Sequence, residues 1–201
     1  MKSSIVFRAV ITFCLLIMVG STLGRIIVID GGPPGVDGFG IRYARHPLVT
    51  FLHIVPGILF LVLAPLQFVS RIRGSRPQVH RWLGRLLLVC GGLSGIGALL
   101  LGVRLPAFGG LTTQVATFVF GITFLVCLGS AYARIRQWQV EAHRAWMIRA
   151  FALGLAVATV RITTAVLTLA FALPYPVAFG WSFWIGFSLN LALAELWIRT
   201  T

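Results

Sequence analysis

The side chains best able to do chemistry in this sequence are histidines and arginines, and two of the histidines share one motif. The pattern Arg-Ile-Arg, six residues, His-Arg begins at Arg71 and recurs at Arg134, which places His80 and His143 63 positions apart. If the recurrence reflects an internal repeat, the two histidines could ligate one haem iron or one metal ion from facing helices. In the alternative interpretation, each histidine binds anionic headgroups with its arginines or caps a helix.

Two further polar residues lie inside apolar runs. His53 is seven residues beyond His46, so at 1.5 Å per residue it lies roughly 8–10 Å below the nearer interface. Arg161 is twelve residues beyond Arg149, about 18 Å along its predicted helix. An arginine inside the bilayer costs roughly 2.5–3.5 kcal/mol on insertion scales, so it should have a partner or face an aqueous cavity. We therefore expect a cofactor site in which His53 faces Arg161.

Several groups could pair with Arg161. The protein candidates are helix carbonyls and Asp30, and the ligand candidates are a haem propionate, a quinone carbonyl or a lipid phosphate. Hydroxyls at Thr159, Thr163 and Thr164 could complete a polar pocket. A purely structural pairing of the guanidinium group is the alternative to a ligand site.

The histidine count argues against one class of haem protein. The position 63 residues after His53 is Ala116, and no second histidine occurs at the same predicted depth. His46 and His53 project from one helix and cannot bind an iron from opposite sides. The sequence is therefore unlike a diheme cytochrome with four bis-histidine ligands.

The remaining charged candidates lie near the ends of apolar runs. Glu195 has Arg199 one turn later in the favourable order, and it could instead reach Arg149 or Arg85 on neighbouring helices. We interpret it as part of a structural ion pair rather than as a proton carrier. Arg81 and Arg144 join these residues as candidates for ion pairs or for binding lipid headgroups. No catalytic triad, paired carboxylates, phosphate loop or H-E-x-x-H motif occurs, so hydrolytic chemistry has no support.

Composition sets the class of protein that carries these residues. Of the 201 residues, 58% are hydrophobic and only 10% are charged, whereas soluble domains average about 45–50% apolar and about 25% charged residues. The net charge of +13 comes mostly from arginines between apolar runs. That distribution indicates membrane topology and excludes nucleic-acid binding as the main interpretation.

The apolar runs predict an all-α, polytopic membrane helix bundle that forms a single transmembrane domain over residues 1–201. The 63-residue offset favours two parallel-repeat hairpins with one helix added at each end. A Gly- and Pro-rich loop is predicted at 30–46, and a basic turn at 70–80. The six helices are predicted at about 5–29, 47–69, 82–103, 112–133, 145–173 and 177–198.

The basic residues predict the orientation of the bundle. With six helices, twelve lysines and arginines fall on one side and four on the other, and Arg161 remains inside a helix. Because positive residues concentrate in cytoplasmic loops, both termini and both basic turns are predicted to be cytoplasmic in the inner (plasma) membrane of a bacterium. The lipid bilayer and its anionic headgroups are the expected partners.

Small residues at four-residue spacing predict where helices pack. Gly91 and Gly95 form a G-x-x-x-G face that permits close helix approach in lipid. Two other predicted helices carry the same spacing, at Ala150, Gly154 and Ala158 and at Ser182, Gly186, Asn190 and Ala194. The cysteines at 14, 90 and 127 have no metal or redox spacing and are interpreted as small buried hydrophobes.

Short motifs are scattered from about residue 46 to 199. They are His53-Ile54 with Gly57, Pro65-Leu66-Gln67-Phe68, His80-Arg81 with Gly84-Arg85, His143 to Arg149 with Ala152-Leu153, Arg161, Asn190 and Ala194-Glu195. Together they resemble an uncharacterised bacterial membrane family, domain of unknown function 2306. One departure is Ala64, where the family often has glycine before its P-L-Q-F motif. The resemblance implies a multi-pass helical membrane protein and supplies no reaction, substrate or cofactor.

Three functional hypotheses follow. The leading one is a helix bundle that binds haem b or a quinone for membrane electron transfer, through His53 and Arg161 or through His80 and His143. The second is a transporter or binding protein in which the same groups hold an anionic small molecule or a lipid headgroup. The third is a structural or assembly partner without a ligand.

Overall fold

The computed structural model describes residues 46–104 and 109–200, together with Leu16 and Gly20, which have helical backbone. No strand occurs among these residues, which confirms the predicted all-α class. The remainder of the first predicted helix at 5–29, most of the predicted loop at 30–46, Cys14 and Asp30 lie outside the described residues. The helices are α1 (Pro47–Gln67), α2 (Ser70–Ser75), α3 (Pro77–Arg104), α4 (Gly110–Arg136), α5 (Val140–Phe171) and α6 (Tyr175–Thr200).

Five of these helices, all except α2, are long and apolar enough to cross a membrane. Their 21 to 32 residues give lengths of about 32–48 Å, which exceed a hydrocarbon core of about 30 Å. Large apolar side chains cover the outside of the bundle, among them Val89, Val126 and Leu189. A surface of this kind requires lipid as its solvent, so the chain is a polytopic membrane helix bundle.

The bundle has two chemically different ends. At one end, which we call the basic end, α1 connects to α3 through α2, α4 connects to α5 through residues 137–139, and α6 terminates. The arginines of both repeated motifs lie there. The other end carries the starts of α1, α4 and α6.

Two helices begin earlier than their hydropathy predicts. The structure starts α3 at Pro77 and α5 at Val140, five residues before the predicted starts at 82 and 145. Proline suits the first helical position because its missing N–H is one that the helix leaves unbonded. The prediction of a turn throughout residues 70–80 is wrong, since α2 and the first turn of α3 occupy most of that segment.

The 63-residue offset also separates the starts of the helices. Residues Pro47 and Gly110 begin α1 and α4, and Pro77 and Val140 begin α3 and α5. The two hairpins differ at their basic ends, because α1 stops at Gln67 whereas α4 continues unbroken to Arg136. A symmetry axis relating the hairpins in space stays a prediction.

Glycines bring α1 and α3 into close contact. A Cβ atom added at Gly97 would lie 2.9 Å from the backbone nitrogen of His53, and one added at Gly57 would lie 2.7 Å from Ser94 Oγ. Both distances are shorter than a methyl group tolerates. Glycine at these two positions therefore fixes how closely the helices approach beside His53.

The other small residues line the remaining helix contacts. At Gly91 and Gly95, added Cβ atoms would lie 2.8 and 2.6 Å from side-chain carbons of Leu128 and Leu125. The G-x-x-x-G face thus receives leucines from α4. Gly186 of α6 packs as closely on α5, where its Cβ would be 2.9 Å from a methyl group of Val160.

Candidate functional site

The structure places His80 and His143 in equivalent positions at the basic end. His80 is the fourth residue of α3, and His143 is the fourth residue of α5. Both side chains are half-buried. The ring of His80 lies within electrostatic range of the charges of His143 and Arg73. The two histidines of the repeated motif therefore share one region of the bundle.

A hydrogen bond to α4 orients the ring of His143. Its Nδ1 lies 2.8 Å from the backbone carbonyl oxygen of Ala131. Because a carbonyl oxygen only accepts, Nδ1 carries the hydrogen, and a neutral ring then presents Nε2 as its free lone pair. This arrangement is common among metal-ligating histidines, whose second nitrogen is fixed by an outer hydrogen bond.

His80 lacks the corresponding bond. Its Nδ1 atom is buried and has no hydrogen-bond partner in the described part of the chain. By the 63-residue offset, the acceptor equivalent to Ala131 is Phe68, which lies in the break between α1 and α2. Buried polar atoms in proteins are usually hydrogen-bonded. In the described chain, Nδ1 of His80 is therefore an exception, a buried polar atom that no hydrogen bond compensates.

His53 is held by a reciprocal contact with α3. Its Nδ1 lies 2.8 Å from the backbone oxygen of Ser94, and the Ser94 hydroxyl donates to the backbone oxygen of His53 at 2.8 Å. The ring is thereby held against α3 with Nδ1 as donor. Residue spacing did not predict Ser94 as this partner, although its place in a glycine-rich stretch indicated a site of close helix approach.

Helix packing brings His53 and Arg161 to the same level of the bundle. Phe60 and Leu61 of α1 pack against Gly154 of α5, and the two helices run antiparallel. His53 is seven residues before Phe60, and Arg161 is seven residues after Gly154. Seven residues make about two helical turns, so each residue lies on the same face as its neighbour in that contact. That the two side chains bind one ligand stays a prediction.

The threonines near Arg161 are mostly bonded within their own helix. The hydroxyls of Thr163 and Thr164 donate to the backbone oxygens of Thr159 and Val160 at 2.8 and 2.7 Å. Of these three threonines, Thr159 is the one whose hydroxyl forms a described hydrogen bond to another helix, because it accepts a 2.7 Å bond from Asn190 of α6. In the predicted pocket around Arg161, these threonines would therefore present mainly oxygen atoms that accept hydrogen bonds.

Glu195 pairs with Arg149 across α5 and α6. Arg149 Nε lies 2.5 Å from one carboxylate oxygen and Nη2 lies 2.9 Å from the other, so the pair is bidentate. The guanidinium carbon also lies 4.7 Å from the ring centre of Trp146. Of the three arginines considered as partners of Glu195, the structure selects Arg149.

The model of a predicted membrane protein family, domain of unknown function 2306, matches residues 50–198. The chain belongs to this family. No curated protein and no solved structure matches it.

The family match assigns this chain to a class of membrane proteins, and the matched range includes every candidate residue of the site. His53, His80, His143, Arg161 and Glu195 all fall within residues 50–198. The family description as a membrane protein agrees with the five helices of spanning length. It assigns no activity, so function has to be argued from the site.

The described residues restrict what the site can hold. Between residues 46 and 200, leaving out 105–108, no group of three or more His, Cys, Asp or Glu side chains is placed to bind a metal ion. Structural zinc sites use four protein ligands and catalytic ones use three. A haem iron needs only one or two protein ligands, since the macrocycle occupies the other positions.

Proposed function

We propose that this family member binds a haem between His80 and His143 and transfers electrons within the membrane. The observation that carries the proposal is the pairing of the two histidines. Each is the fourth residue of its helix, each lies at the basic end, and the rings are in electrostatic range of one another. Facing helices of a bundle are a common place for such ligands.

The surroundings of the His143 ring fit the role of a haem ligand. The bond from His143 Nδ1 to Ala131 leaves Nε2 available and raises its basicity. His80 would bind through its other ring nitrogen, because its Nδ1 is buried and has no hydrogen-bond partner in the described chain. Arg73, beside His80, can neutralise a haem propionate.

A bound haem would supply one-electron chemistry. The chain would contribute the two ligands and their orientation. Phe68 packs against Phe151 with ring centres 5.6 Å apart and ring planes tilted by 53°.

The level of His53 and Arg161 supports a second candidate function, the binding of a quinone or an anionic solute. The guanidinium group of Arg161, about two helical turns beyond the Gly154 contact and level with His53, suits a carbonyl or anionic oxygen. Solvent extraction of the purified protein, followed by chromatography, would detect a bound quinone.

Haem content tests the leading proposal. The full chain should be expressed with haem precursor, purified in mild detergent and assayed for haem per polypeptide. We expect haem in the wild type and its loss in both His80→Ala and His143→Ala. The matched control is His46→Ala. His46 lies at the start of α1, at the end of the bundle opposite the basic end, and this variant should retain haem. Wild-type protein without haem would overturn the proposal.

We also infer that the basic end faces the cytoplasm of a bacterial cell. The inference rests on the excess of arginines at that end and on the concentration of positive residues in cytoplasmic loops. Cysteine labelling in intact and lysed cells tests this orientation.

A further inference from the structure

A groove runs along the outside of the bundle between α3 and α4. It has a volume of about 470 Å³ and is lined by Arg85, Val89 and Gly92 on α3 and by Leu125, Gly129 and Tyr132 on α4. Its volume lies in the range of about 300–1,000 Å³ that small-molecule sites occupy. None of these residues belongs to the proposed haem site.

Two glycines open the groove. A Cβ atom added at Gly92 or at Gly129 would meet no atom within 4 Å. On the neighbouring face of α3, leucines of α4 fill the space beside Gly91 and Gly95. From Arg85 to Gly92 the groove extends about 10 Å along the helix axis, compared with about 15 Å for one leaflet of hydrocarbon. Its length suits the upper part of an acyl chain.

The end of the groove nearest the basic end is cationic. Arg85 lies there opposite Tyr132. The same antiparallel register, continued by one helical turn, brings Arg81 of α3 level with Arg136 of α4, and all three arginines are exposed. Within the described residues the one ion pair joins Arg149 to Glu195, so no described carboxylate neutralises these three charges.

Aromatic residues mark the level of this cationic end in the membrane. Tyr132, Trp82 and Trp138 are exposed by 49, 67 and 88%. Tyrosine and tryptophan concentrate where lipid headgroups meet hydrocarbon. The arginines therefore lie at the height of lipid phosphates, and the groove below them lies at the height of acyl chains.

We propose that this groove is a binding site for an anionic phospholipid. One acyl chain lies over Gly92 and Gly129, and the headgroup phosphate contacts Arg81, Arg85 and Arg136. Because lipid tails are as apolar as the groove, selectivity comes from close packing and from the charge of the headgroup. A free phosphate ion would use the arginines alone and gain nothing from the groove.

Native mass spectrometry of the full chain, released from detergent micelles with added phosphatidylglycerol, tests this site. The wild type should retain phosphatidylglycerol more tightly than phosphatidylcholine with the same chains, and glycerol phosphate should not bind. Arg85→Gln should weaken retention about fivefold, the effect expected for one arginine at a lipid surface. The matched control is Arg104→Gln, an exposed arginine at the other end of α3, which should leave retention unchanged.

A second variant tests the groove apart from the charge. Gly92→Leu fills open space and favours helix, so it should fold normally and still lose phosphatidylglycerol. Equal retention of both lipids by the wild type, or equal losses in Arg85→Gln and Arg104→Gln, would overturn the proposal. It would also be overturned if Gly92→Leu converted a dimer to a monomer without changing lipid retention, because a second copy of the chain would then occupy the groove.

Discussion

His143 donates its Nδ1 hydrogen to the backbone oxygen of Ala131, 2.8 Å away, and so offers Nε2 as the free nitrogen of its ring. The equivalent residue, His80, has no such acceptor in the described chain, because the helix that would supply it ends at Gln67. Among the described residues, the ring of His143 is therefore held by a bond to a neighbouring helix, and the ring of His80 is not.

The bidentate pair of Arg149 and Glu195 should stabilise the packing of α5 on α6. The Arg149 side chain is 21% exposed and that of Glu195 is 37% exposed, so solvent screens part of the attraction. We expect a coupling free energy of about 1 kcal/mol from a double-mutant cycle with Arg149→Gln and Glu195→Gln. Thermal unfolding in detergent measures it.

Arg144→Gln is the control for that cycle. It removes an exposed arginine from the same helix that has no ion pair in the described chain. A coupling energy between Arg144 and Glu195 as large as that for Arg149 would contradict the assignment.

Gly97→Ala should destabilise the bundle, because its methyl group would lie 2.9 Å from the backbone nitrogen of His53 and 3.0 Å from its Cα and Cβ. Overpacking of this kind costs about 1–3 kcal/mol. Gly92→Ala, five residues earlier on the same helix, places its methyl group in open space and should gain up to about 1 kcal/mol from helix propensity. Unfolding midpoints of the two variants that shift in the same direction would be inconsistent with the packing described.

Ser94→Ala should cost about 1 kcal/mol of stability, since it removes the hydroxyl that donates from α3 to the backbone of His53 on α1. Ser182→Ala is a suitable comparison. That hydroxyl is also buried, but it donates to Ala178 of its own helix, so its removal breaks no bond between helices. We expect Ser182→Ala to have the smaller effect on thermal unfolding, and a larger effect there would count against the α1–α3 contact as the stronger one.

The orientation of the bundle can be read from cysteine labelling in cells. Cys90 and Cys127 are buried, so a Cys14→Ser background leaves little labelling of its own. Gln137→Cys, at the basic end, should be protected from a membrane-impermeant maleimide in intact cells and labelled after lysis. Phe171→Cys, 67% exposed at the opposite end, should be labelled in intact cells. The reverse pattern would show that the basic end faces outward.

Hydropathy and residue spacing predicted the class of fold and most of its helices, because a span of about 20 apolar residues has few alternatives to a membrane helix. They also predicted where α3, α5 and α6 pack, since small residues at four-residue spacing mark close approach. Hydropathy placed the starts of α3 and α5 too late. Backbone hydrogen bonding continues through polar residues such as His80 and His143, and apolar content does not record it.

The sequence could not predict which side chains form ion pairs or hydrogen bonds between helices. Glu195 had three arginines within plausible reach, and the choice of Arg149 depends on how α5 and α6 are rotated. The bond from His53 to Ser94 joins residues 41 positions apart. It exists because Gly57 and Gly97 let the two backbones approach, a consequence of packing in three dimensions.

The absorbance spectrum of the reduced protein, expressed with haem precursor and purified, tests the central claim most directly. Two histidine ligands give a low-spin haem with a sharp α band, which the wild type should show. His80→Ala should lose that band, and added imidazole should restore it, because the vacated ligand position is open. His53→Ala should keep the wild-type spectrum. A wild-type protein without a Soret band, or a band that survives in His80→Ala and disappears in His53→Ala, would contradict a haem between His80 and His143.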